Sequence, residues 1–140
     1  MNFARLLLAA LGALVASFAV GGLLMVLVPA LLNEAHKHPT VFRPKEEMMK
    51  VMPIGMGATF IAILIAAVMF ALMHPAGASL REGAIFGVLL GAFVVFGFVL
   101  HNYANLNIGM KLAMLQAVAY FVQWVAVGVV ISLIYKAATP

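Results

Sequence analysis

The chain has 140 residues, 66% of them hydrophobic and 9% charged, whereas about a quarter of the residues in soluble domains are charged. That balance excludes an ordinary water-soluble domain, and the absence of cysteine excludes disulfides, thiolate metal sites and thiol redox chemistry. The formal net charge of +4 is small and fits contact with anionic lipid headgroups, with no nucleic acid among the expected partners.

A short basic start, residues 1–5, leads into residues 6–32, a run of 27 with no Asp, Glu, Lys, Arg or His. Ser17-Phe18-Ala19 has the small-residue character of a signal cleavage site. A signal peptide's apolar region is only about 7 to 15 residues long, however. This run therefore reads as a first membrane span. The next segment, residues 33–50, gathers His36, Lys37, His38, Arg43, Lys45 and Lys50. Within it, Pro44 followed by Lys45, Glu46 and Glu47 has the form of a helix first turn, with acids near the positive end of the dipole.

Residues 51–73 give a second uncharged run of 23, in which Pro53, Gly55 and Gly57 predict a kink or a short break. Ser79 and Glu82 have capping-box spacing, so a third helix is expected to start at Leu80 and run to residue 101. Its uncharged stretch, residues 83–100, is 18 long. The polar stretch HNYANLNIG follows, at residues 101–109. It reads as a turn at the membrane surface, with Tyr103 as an interfacial anchor and Asn107 opening the fourth helix. The last run, residues 112–135, has 24.

About 20 apolar residues at 1.5 Å per residue cross a 30 Å hydrocarbon layer, and in lipid each such span must be helical. The expected fold is all-α: a polytopic four-transmembrane-helix bundle forming one domain over residues 1–140, with spans at about 6–32, 51–73, 80–101 and 112–135. Lys37, Arg43, Lys45, Lys50 and Lys111 then lie on one side, and Arg5, Arg81 and Lys136 on the other. The positive-inside rule favours a cytoplasmic first loop and third turn.

Packing surfaces are expected where small residues recur every four positions: Gly83, Gly87 and Gly91; Ala58, Ala62 and Ala66; and Gly12 with Ala16. A faint internal echo at a spacing of 69 pairs Leu31, Asn33 and Ala35 with Leu100, Asn102 and Ala104, and Gly22 with Gly91.

No span has an ionisable residue near its centre, which argues against proton-coupled transport through a buried carboxylate. Paired carboxylates, nucleophile–base pairs and phosphate-binding glycine loops are also missing from the sequence, so an enzyme is not expected. Three constellations remain. Gln116, Tyr120 and Gln123 share one face of the fourth span, as an interhelical hydrogen-bonding stripe or as the lining of a ligand or headgroup site. His101, Asn102, Asn105 and Asn107 are either turn residues or a polar pocket for a ligand or partner. Met48, Met52 and Met56 form a thioether stripe near His36, His38 and His101, either flexible filler or a soft Cu(I) site.

The Met-x-x-x-Met spacing over those nine residues resembles the pattern inside eukaryotic copper importers. The Gly-rich third span, the Asn-containing turn and a fourth span opening with NIGMKL look like the uncharacterised four-helix bacterial inner-membrane families, classed as domains of unknown function. That resemblance implies a multi-pass protein of the bacterial inner membrane and no particular activity. The expected function is a small non-catalytic integral subunit or accessory protein, without a cofactor. It would pack against other membrane protein subunits or copies of itself within the lipid bilayer. The alternative is a small-solute or copper carrier using the Met/His-rich end.

Overall fold

The computed structural model describes residues 2–135; Lys136, one of the charges weighed for orientation, lies outside them. Its elements in chain order are α1 (Phe3–Leu27), α2 (Ala30–His36), α3 (Lys45–Met73), α4 (Leu80–Val94), a π-helical turn (Val95–Val99), α5 (Leu100–Asn105) and α6 (Met110–Ile134). No strand occurs among the described residues. The fold is all-α with four helices long and apolar enough to span a membrane: α1, α3, the continuous rod Leu80–Asn105, and α6.

Local chemistry sets the helix ends. The Asn2 carboxamide accepts from the Arg5 N–H at 3.1 Å and caps α1. The Ser79 hydroxyl accepts from the Glu82 N–H at 3.3 Å while the Glu82 carboxylate accepts from the Ser79 N–H at 2.7 Å, so both halves of the capping box are made.

Four features differ from the sequence expectation. The first span stops at Leu27 rather than residue 32: Val28, the residue before Pro29, leaves helical geometry at φ −123° and ψ 72°, as proline favours in its predecessor, and the chain restarts as the short α2. The short break offered as one alternative at Pro53 is absent: α3 is helical from Lys45 to Met73, with the Thr59 hydroxyl donating to the Gly55 carbonyl at 2.9 Å in the following turn. His101 to Asn105 are helical, so HNYANLNIG is not a turn: its first five residues finish the third rod, and only residues 106–109 reverse the chain. Gly109, not Asn107, is the residue before α6, and no side chain caps that end.

Helix α6 is the spine, with α4 on one side and α1 on the other, and α3 packs on α1. The α4–α6 contact is the closest. A β-carbon added at Gly128 would come within 2.5 Å of both the Gly83 carbonyl oxygen and the Gly87 nitrogen, and one at Gly87 within 2.7 Å of the Trp124 carbonyl oxygen. In lipid, where no hydrophobic force drives helices together, such approach supplies the van der Waals and dipolar contact that holds them. The Gly83, Gly87 and Gly91 stripe therefore faces α6. The alanine stripe of α3 does not behave as its spacing suggests: Ala58 and Ala62 are exposed, and the buried face is Ile63, Ala66, Ala67, Phe70 and Ala71. All the buried residues of α3 lie in its second half.

Two apolar cores result. The larger, near the chain termini, includes Leu6, Ala9, Ala13, Phe70, Phe86, Ile131 and Tyr135, with Phe70 and Phe86 edge-to-face at 5.2 Å. The smaller, at the opposite end, is Ile108, Leu112 and Ala113 against Ala35, Val41, Phe42 and Tyr103.

A candidate ligand cavity between the two cores

Between these cores lies a cavity of about 290 Å³. Gly21 and Met25 of α1, Leu31 and Ala35 of α2, Met48 at the start of α3, and Gln116, Tyr120 and Gln123 of α6 all line it. The spacing of the last three brings them to one helix face. Their neighbours make the room: Gly21 has no side chain, and a β-carbon there would sit 2.5 Å from the Gln123 amide nitrogen. The Tyr120 ring meets Phe98, in the π-helical turn, edge-on at 6.4 Å.

The lining is largely apolar and contains no ionisable side chain apart from the Tyr120 phenol. Its polar chemistry is amide and phenol, suited to hydrogen bonding with an uncharged partner. Tyr120, Met25 and Met48, which line it, are 38%, 53% and 46% exposed, so the cavity is open to the surroundings beside these side chains.

Its end toward the smaller core is tied by charge. The Glu34 carboxylate, on a side chain only 11% exposed, accepts from Lys37 Nζ at 2.9 Å and Lys111 Nζ at 2.8 Å. Hydrogen bonds from Lys111 first and Lys37 second hold its carboxyl below the usual carboxylate range. The Gly109 N–H donates to His38 Nε2 at 3.3 Å, joining the first loop to the last turn. In the sequence His38 stands out as a soft-metal candidate and Lys37 and Lys111 as surface charges, whereas Glu34 and Gly109 do not stand out. The i, i+3 spacing of Glu34 and Lys37 was visible there, but the pairing with Lys111 exists only in three dimensions.

The other sequence candidates lie apart from the cavity. His101 is exposed and its carbonyl accepts from the Asn105 carboxamide at 3.0 Å; the Asn102 carbonyl accepts from the Leu106 N–H at 2.7 Å; Asn107 is exposed in the turn. Of the methionine stripe, Met48 lines the cavity, whereas Met52 and Met56 are exposed outside it. His36 ends α2 on the surface, and His38 already accepts a hydrogen bond. Among the described residues, no three histidine or glutamate side chains come together as a metal-binding group.

No protein-family model matches the chain, and no curated protein and no solved structure does either.

Proposed function

We propose that the chain is a small, non-catalytic integral membrane subunit that packs through the first half of α3 against another membrane helix, in a larger complex or in a second copy of itself. One observation carries this reading. Residues 45–58 of α3 are almost wholly exposed, and Gly55 and Gly57 have nothing within 4 Å of an added β-carbon. Glycine in a helix interior costs about 1 kcal/mol relative to alanine unless close packing repays it. At Gly83, Gly87 and Gly128 that repayment is present within the chain. At Gly55 and Gly57 it would come from a partner. The absence of ionisable groups near the span centres and the shortness of the connections support the same reading. Exposed Lys37, Arg43, Lys45, Lys50 and Lys111 favour an orientation in a bacterial inner membrane with that end in the cytoplasm.

The carrier reading has less support, because the proposed copper ligands are not gathered around the cavity. The test is site-directed crosslinking in native membranes, which the cysteine-free chain permits without background. Single cysteines at Ile54 and Ala58 should give discrete adducts, and one at Phe93, on the outer face of α4, should not. Adducts of doubled mass identify self-association, and adducts of other mass identify a partner subunit. Equal, diffuse labelling from all three sites would overturn the proposal.

A further inference from the structure

The cavity between the two cores is not needed for packing through α3, and its chemistry points to a ligand. We infer that it binds an uncharged membrane lipid that carries carbonyl or hydroxyl oxygens on a long apolar chain, such as a quinone or an acylglycerol. Along α6 the lining extends from Leu112 to Gln123, about 16 Å at helical rise. Gln116, Tyr120 and Gln123 supply neutral donors and acceptors along it, with Gln123 deepest, about 18 Å along the helix from Lys111. At that depth there is no water, so a carbonyl or hydroxyl gains a partner it lacks in the surrounding acyl chains.

A charged headgroup is disfavoured on two counts. No cationic side chain lines the cavity, and carrying a charge to that depth is costly. Of the cations at that end, Lys37 and Lys111 are committed to Glu34, and Arg43 lies 4.0 Å from Glu47. The volume, about 290 Å³, sits at the small end of ligand pockets, which start at roughly 300 Å³. That is room for one ring or one ester headgroup, with the chain leaving past the exposed Met25 and Met48.

Trp124 is the chain's one tryptophan and follows Gln123 directly, which makes it a built-in reporter. The purified full chain in phosphatidylcholine nanodiscs is titrated with decylubiquinone, a quencher of indole emission, and separately with dioleoylglycerol, counted on the protein by native mass spectrometry. At least one of the two should bind saturably. Gln116→Leu with Gln123→Leu should weaken that binding about thirtyfold, the equivalent of two lost hydrogen bonds at about 1 kcal/mol each. Ala119→Phe, which fills the cavity, should abolish it. Binding of only one lipid assigns the source of the oxygens, ring or ester. The inference is overturned if neither lipid saturates, if both variants bind like wild type while retaining its helicity, or if phosphatidylglycerol displaces the neutral lipid at equal concentration.

Discussion

Lys111, in the first turn of α6, places its ammonium 2.8 Å from the carboxylate of Glu34 in α2, and Lys37 reaches the same oxygen at 2.9 Å. The whole of α3, α4 and α5 separates these two points in the chain. Because its lysine partners hold the Glu34 carboxyl below its ordinary range, the stabilisation is complete above the unfolded carboxylate pKa of about 4.3 and is lost as pH falls through the lower folded value. Wild-type protein in neutral detergent should therefore melt at a lower temperature as pH is taken below about 4. Glu34→Gln should melt a few degrees lower than wild type at pH 7 and lose part of that acid dependence. Parallel curves for the two proteins across the whole pH range would show that the cluster contributes nothing.

The glycines of α4 and α6 and those of α3 should respond in opposite directions. Gly128→Ala would press its new methyl group onto the Gly83 oxygen and the Gly87 nitrogen, both backbone atoms with nowhere to move. Overpacking of that kind costs about 1–3 kcal/mol. Gly57→Ala meets nothing within 4 Å and should leave the isolated chain as stable, or more stable by up to about 1 kcal/mol from helix propensity. Reversible unfolding in mixed micelles reads both. If the α3 face has a partner, Gly57→Ala should also weaken the crosslinks from Ile54 while the monomer stays intact.

How far the fold was legible depends on what each residue answers to. The four apolar runs answer to the solvent, because lipid tolerates only continuous apolar helix, and so the spans were readable. Ser79 and Glu82 answer to each other within one turn, and their capping box was readable too. Pro29 ends a helix and Pro53 does not, and an apolar run around either proline reads the same in the sequence. HNYANLNIG was taken for a turn because asparagine favours turns. A rod that has already reached the headgroups can nonetheless stay helical through His101–Asn105, with Asn105 bonding the His101 carbonyl. Spacing placed Ala58, Ala62 and Ala66 on related faces but could not say that all the buried residues of α3 lie in its second half. For the cavity, spacing grouped Gln116, Tyr120 and Gln123. Nothing local showed Gly21 opposite them or Glu34 at their end.

The capping box at Ser79 makes a local prediction. Ser79→Ala removes the acceptor for the Glu82 N–H and costs about 1 kcal/mol, the usual value of a lost N-cap. The loss should be confined to the first turn of α4. Hydrogen exchange at the amides of residues 81–83 should speed by about fivefold, as that energy implies, while amides near Gly87, gripped by α6, stay unchanged. Faster exchange along the whole of α4 would mean that the cap holds the helix in place rather than only its end.

The bond from the Gly109 N–H to His38 spans 71 residues of sequence and is a single hydrogen bond at 3.3 Å, so its contribution should be modest, about 0.5–1.5 kcal/mol. Its position gives it more leverage than its strength. It pins residues 37–44, whose Phe42 both packs in the smaller core and lines the cavity. His38→Ala should leave the global unfolding midpoint nearly unchanged while raising hydrogen exchange in the 37–44 loop and at Gly109. His38→Gln, which keeps an acceptor, should restore part of the protection. A neutral lipid bound beside Phe42 should reduce exchange in the same loop for wild type more than for His38→Ala, since the wild-type loop starts closer to the bound arrangement. If His38→Ala instead lowers the midpoint as much as Gly128→Ala does, the loop is part of the global folding unit, and the smaller core, not the hydrogen bond, is what His38 supports.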